Sequence, residues 1–154
     1  MDDMALIEIR EGTRDEIPLL VSFNQSMALE TENLELDRAT LASGVKGVFD
    51  RPERGTYFVA EVGGRVVGGL MVTKEWSDWR NGDFWWIQSV YVIPEFRRRG
   101  VFGALYANAR SRAEMDPAVC GCRLYVEKEN VSAQEVYLQK GFSETDYRLF
   151  EDCF

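Results

Sequence analysis

The apolar positions change their period several times along the chain, and each change marks an element. "ALIEIR" (5–10) alternates charges with an inward set of Leu6 or Ile7 and Ile9, the period of two of a strand. "EGTRDE" then offers turn and cap residues. Ile17, Leu20, Val21, Phe23 and Met27 follow at helical spacing and predict a helix from about Arg14 to Ala28, with Pro18 near its first turn, where a missing N–H costs little. "DRATLASGVKGVFD" (37–50) predicts a weaker second helix, interrupted by Gly44 and Gly47.

"TYFVAEV", Gly63-Gly64 and "RVVGGLMVTKEW" predict a hairpin, because two glycines between β-branched runs supply the positive φ angles of a tight turn. "FWWIQSVYVI" (84–93) is apolar on both phases and predicts a central strand buried on both faces, ended by Pro94. A helix follows from about Gly100 to Met115, with Phe102, Leu105, Tyr106, Ala109 and Ala113 on one face. "CRLYVEKE" (122–129) predicts a fifth strand and "NVSAQEVYLQK" (130–140) a capped helix stopped by Gly141; "FSETDYRLFEDCF" predicts one or two further strands. The order implies an α+β fold, an α/β/α sandwich with a central mixed, mostly antiparallel sheet of six to seven strands and helices on both faces.

With 154 residues, 45% of them hydrophobic, the chain suits a single domain spanning 1–154 with its own core. Its formal net charge of −8 disfavours nucleic acid and anionic membranes and favours cationic small molecules. The three cysteines, Cys120, Cys122 and Cys153, are odd in number and lack secretory spacing, and "MDDMALIEIR" lacks a signal pattern, so a cytoplasmic location is expected. Histidine is absent, which removes imidazole acid–base catalysis and the usual zinc sets. Chemistry is left to carboxylates, Tyr, Ser, Cys, Lys or backbone groups, and no metal site is expected.

"RRRGVFGALY" (97–106) is a local exception to the acidity. A strand, a glycine turn and a helix N-terminus make an anion site, since the first-turn N–H groups lack intrahelical acceptors and the dipole is positive there. Arg97, Arg98 and Arg99 can add charge-assisted bonds to phosphate; alone, such a triplet is as readily a solvated patch. A second constellation, Asn130, Ala133, Tyr137, Gly141 and Phe142, sets a capped helix with Ala133 and Tyr137 on one face.

Together the two stretches resemble the GNAT superfamily of acetyl-CoA-dependent N-acetyltransferases, whose motifs are Arg/Gln-x-x-Gly-x-Gly/Ala after a strand and Asn-x-x-Ala-x-x-x-Tyr-x-x-x-Gly-Phe. "VYVIPEFRRRGVFG" departs from the first in one place, with Phe102 where the family has a second small residue and Gly103 one position later. The resemblance implies a GNAT-like fold with acetyl-CoA as co-substrate. It implies pairing of the pantetheine arm with Val90, Tyr91 and Val92, an N–H of Val92 or its neighbour on the thioester carbonyl, and pyrophosphate held by Arg97, Arg98, Arg99, Gly100, Val101, Phe102 and Gly103. It further implies that Asn130, beside Ala133, bonds the cofactor arm, and that Tyr137 is the general acid.

The expected reaction is direct attack of a primary amine on the thioester in a ternary complex. No Asp or Glu lies between Phe84 and Ile93, so the candidate bases are Asp83, Glu32 and Glu127, each of which also fits a solvated acid. A cysteine nucleophile lacks an evident base. Trp76 and Trp79 are open between an acceptor wall and surface residues, while Trp85 and Trp86 are expected to be structural, as core or dimer contact. The partners expected are a small-molecule amine, with no nucleic acid and no membrane; a homodimer is left open. A coenzyme-A-binding or sensory module without catalysis is the alternative function.

Overall fold

The structure of the protein, a computed structural model, describes residues 6–154. Ala5 of the expected first strand lies outside them. The chain divides into two compact units, one ending at Leu124 and a second spanning Tyr125–Phe154.

The first unit contains β1 (Ile7–Glu11), a short turn of 3-10 helix (Arg14–Glu16), α1 (Ile17–Glu32), α2 (Arg38–Asp50), β2 (Gly55–Val62), β3 (Arg65–Ser77), β4 (Gly82–Val92), a second 3-10 turn (Pro94–Phe96), α3 (Val101–Met115) and β5 (Val119–Arg123). Its mixed sheet has the order β1-β2-β3-β4-β5, antiparallel except for the parallel pair β4–β5. Local chemistry accounts for several boundaries. The Asp37 carboxylate accepts the Thr40 N–H at 2.8 Å and starts α2, which runs unbroken through Gly44 and Gly47. α1 continues past Ala28 to Glu32 and ends where Asn33 turns left-handed at φ 50°. The Gly63-Gly64 turn, with φ values of 57° and 79°, joins β2 to β3 as expected.

Two adjacent glycines of β3 show how the layers stack. A Cβ on Gly68 would lie 2.9 Å from the Tyr91 carbonyl oxygen and 3.3 Å from Val101 of α3. One on Gly69 would meet the Phe58 carbonyl at 3.2 Å and Leu20 of α1 at 3.5 Å. Because successive strand residues face opposite sides, α1 and α3 cover opposite faces of the sheet. Leu20, Val21, Phe23, Val45, Tyr57, Val59 and Tyr91 form the core on the α1 side. α3 buries Val101, Leu105, Tyr106, Ala109 and Ala113; Phe102, expected among these, is only half-buried and lies with its ring 6.3 Å from that of Tyr106.

β4 is less central than its apolar run suggests. It pairs with β3 throughout but with β5 only over Asp83–Trp86. Further along, Tyr91 faces Gly69 and Gln88 faces Met71, so Ser89 and Val90 together stand opposite Leu70. Ser89 is left-handed at φ 50°. This is a β-bulge, which bends the strand that carries it. β5 spans Val119–Arg123 rather than 122–129, starting before the expected strand and ending well short of its expected end.

In the second unit α4 spans Val131–Gln139, and Gly141 follows at φ 96°. Residues 142–154 carry no strand, and the Tyr147 and Leu149 side chains of the expected alternation are exposed. Among the described residues the sheet therefore has five strands rather than six or seven.

Glycine at 68 is thus a steric requirement, whereas Gly44 has nothing within 4 Å of an added Cβ. Gly68→Ala should destabilise the protein by about 1–3 kcal/mol through overpacking. Gly44→Ala should stabilise it by about 0.5–1 kcal/mol through helix propensity. Urea midpoints of the two variants, moving in opposite directions at constant slope, check the pair.

Candidate active site

The bulge leaves a free strand edge. The Ile93 N–H donates to the Val67 carbonyl at 2.9 Å, so Tyr91 and Ile93 direct their backbone groups to β3 and Val92 directs its own away from it. Beyond Trp86 no strand among the described residues covers that side of β4. One polar group there is already engaged, because Arg97 donates from Nε to the Val92 carbonyl at 2.8 Å.

After the Pro94–Phe96 turn, Arg97 is extended, Arg98 is left-handed at φ 61°, and Gly100 at φ 83° precedes α3. A Cβ at Gly100 would touch nothing within 4 Å, so the requirement for glycine here is conformational. The first intrahelical bond runs from the Ala104 N–H to the Gly100 carbonyl at 3.0 Å. The N–H groups of Val101, Phe102 and Gly103 therefore project from the positive end of α3.

The three arginines diverge. Arg97 donates to the Glu30 carboxylate at 2.7 Å and lies over the Tyr91 ring at 5.3 Å. Arg99 lies over Phe96 at 5.3 Å, with Arg65 at 5.8 Å from the same ring. Arg98 is exposed beside the α3 N-terminus, with no ion pair among the described residues.

Glu30, which the sequence pattern does not single out, joins Arg97 and Tyr91 beside this turn. Its carboxylate accepts from the Tyr91 hydroxyl at 2.9 Å as well as from Arg97, and the Arg97 bond, aided by that of Tyr91, holds the carboxyl below its ordinary range. A signal existed: Phe23, Met27 and Glu30 stand at i, i+4 and i+7, so Glu30 lies at the exposed end of the helix face that Phe23 and Met27 turn inward.

Of the expected bases, the two in the first unit, Glu32 and Asp83, are not gathered there. Glu32, two residues beyond Glu30, is exposed on a different face of the helix. Asp83 pairs with Trp76 and Val119 at the start of β4, roughly 20 Å along the strand from Ser89 at ~3.3 Å per residue. The Glu127 carboxylate, in the second unit, accepts the Glu129 N–H at 2.8 Å. Gln88 donates its amide N–H to the Thr73 hydroxyl. Trp86 donates its indole N–H to Glu75 at 2.8 Å, Trp85 is half-buried, and Trp76 and Trp79 are exposed towards the tip of the β3–β4 hairpin. Burial pushes the Cys122 thiol up, away from thiolate character.

In the second unit the Asn130 side-chain oxygen accepts the Ala133 N–H at 3.1 Å, so Asn130 caps α4. Tyr137 meets the Phe142 ring edge-on at 6.0 Å, and the Phe142 N–H returns to the Tyr137 carbonyl at 3.1 Å. Burial raises the Tyr137 hydroxyl and keeps it protonated.

Comparison with known proteins bears on both motifs. The model of the Acetyltransferase (GNAT) family matches residues 19–142. The structure described as a possible acetyltransferase from Clostridium difficile 630 is similar at 44% identity, covering 97% of this chain and 98% of that one, with a TM-score of 0.92. A predicted acetyltransferase from Clostridium acetobutylicum, solved with acetyl-CoA, is 18% identical over 96% of each chain with a TM-score of 0.78. The ribosomal-protein-alanine N-acetyltransferase from Brucella melitensis biovar Abortus 2308 is 14% identical, covering 97% of this chain and 99% of that one, with a TM-score of 0.77. The last two show a likeness of fold alone. No curated protein matches, and no described helix is long and apolar enough to cross a membrane. Since the matched span takes in both the arginine turn and the Asn130–Phe142 motif, the chain belongs to the GNAT acetyltransferase family, which uses acetyl-CoA as its co-substrate.

Proposed function

We propose that the protein transfers the acetyl group of acetyl-CoA to a primary amine on a small molecule, by direct attack in a ternary complex, with residues 1–154 acting as one catalytic domain. The observation that carries this reading is the open edge of β4 leading, past the bulge, straight into the arginine turn and the N-terminus of α3. A pantetheine arm can add to that edge as a strand does. Pyrophosphate then meets the N–H groups of Val101, Phe102 and Gly103 with Arg98 beside them. Arg97 is occupied by Glu30 and Val92, so its part is to shape the turn rather than to hold phosphate.

In the reaction the amine nitrogen forms a bond to the acetyl carbon, a backbone N–H of the β4 edge steadies the oxyanion, and the C–S bond breaks. Tyr137, assigned by its motif position and its neutral hydroxyl, gives its proton to the departing thiolate and regains one from solvent. The amine's proton passes to water: Glu30 is held ionised by Arg97 and Tyr91, Glu32 lies on another helix face, and Asp83 is remote. The net charge of −8 favours a cationic acceptor.

A second reading, coenzyme A binding without turnover, is favoured by the Gln88–Thr73 hydrogen bond and by β4 carrying no carboxylate between Phe84 and Val92. Incubation with acetyl-CoA and a panel of primary amines, following free thiol, separates the two. Thiol release is expected with at least one amine; tight binding without release from any of them favours the second.

Tyr137→Phe should lower kcat by about 10²–10⁴-fold and leave KM for acetyl-CoA within about twofold. Because burial raises the Tyr137 hydroxyl, its neutral form persists beyond the ordinary tyrosine value of 10.0. The alkaline fall in kcat due to Tyr137 should therefore lie above that value and vanish in Tyr137→Phe, as a pH profile will report.

A further inference from the structure

We infer that Glu30 is a positioning residue for acetyl-CoA, acting through Arg97 on the last peptide of β4; this rests on the function proposed above. The peptide between Val92 and Ile93 is bonded at both ends. Its N–H donates to the Val67 carbonyl at 2.9 Å, and its carbonyl accepts from Arg97 Nε at 2.8 Å. An arginine on an exposed turn has many rotamers, and only a second restraint keeps its Nε on one carbonyl. Glu30 supplies that restraint by accepting from the Arg97 Nη2 at 2.7 Å, and Tyr91 adds another by lying under the guanidinium at 5.3 Å. Glu30 is itself held by the Tyr91 hydroxyl at 2.9 Å, and the Tyr91 ring packs against Phe23 of α1 at 5.3 Å between centroids.

The chain of contacts runs from the inward stripe of α1, through one carboxylate and one guanidinium, to the plane of the peptide where the free edge of β4 meets the arginine turn. A ligand that pairs with that edge gains when the peptide plane is already set, because the ordering cost has been met before binding. Glu30 touches no substrate in this scheme. Arg97 also differs in function from its two neighbours, which explains why three consecutive arginines do not become three phosphate ligands.

Calorimetric titration of coenzyme A into wild type, Glu30→Gln, Arg97→Lys and the double variant tests the inference, together with site-resolved amide exchange of the unliganded proteins. Glu30→Gln keeps the shape but loses the charge, and Arg97→Lys keeps the charge but loses the forked donor. Each should raise Kd about five- to tenfold, with the double variant no worse than either, as expected for two links of one chain. Exchange at the Ile93 amide should quicken in Glu30→Gln while the amides of the β2–β3 hairpin keep their protection. Unchanged Kd, fully additive losses, or a uniform rise in exchange across the sheet overturns the inference. If the wild type binds no coenzyme A, the proposed function fails; Ile93 exchange still decides the clamp, and unchanged protection there in Glu30→Gln overturns it.

Discussion

Ser89 and Val90 stand together opposite Leu70, and the rest of the first unit is arranged around that mismatch of one residue. A strand with regular pairing on both sides has no backbone group left for a ligand. The bulge breaks this rule locally. It bends β4, lets β5 pair only with Asp83–Trp86, and leaves the final residues of β4 with one satisfied side and one free side. The glycines at 68 and 69 then bring β3 close enough to its neighbours for α1 and α3 to close on the two faces, which fixes where the β4 edge ends and α3 begins.

Electrostatics refines what the backbone sets out. A chain with 26 acidic and 18 basic residues is a poor general host for anions, so any phosphate site must be built from nearby dipoles and a few guanidinium groups. The arginine turn does this by division. One guanidinium is taken up by the Glu30 carboxylate and a backbone carbonyl, a second shares the Phe96 ring with Arg65, and the third stands exposed next to the helix N-terminus. An ion pair as exposed as Arg97–Glu30 adds little stability by itself. Its value lies in orientation.

Much of this architecture was legible in the chain. The Gly63-Gly64 turn and the Gly141 stop are local signals, and each appears where its chemistry places it. The arginine turn and the Asn130–Phe142 motif lie in the span that identifies the family. What escaped was non-local. Gln88 and Ser89 look like a polar pair in an otherwise apolar strand, and nothing within the strand announces that Leu70 will face two residues instead of one. The partnership of Glu30 with Arg97 spans 67 positions, so only the helical stripe through Phe23 and Met27 hinted at it. The end of β5 and the missing last strands depend on what lies alongside, which an alternating pattern does not specify. Phe102 was placed inward by helical period, but Val101 holds the buried position because the helix starts there and its first residue faces Gly68.

The order of elements along the chain has a consequence in time. β2, β3 and β4 form an antiparallel meander whose bulge is complete in covalent sequence at Val92, whereas β5 arrives only after all of α3. Hairpin contacts close short loops, while a parallel pair must wait for its crossover. On a ribosome the bent β4 edge is therefore within reach of folding while β5, which pairs only with Asp83–Trp86, is still unmade. The free edge is a property of the meander itself and does not have to be opened later by displacing a neighbour.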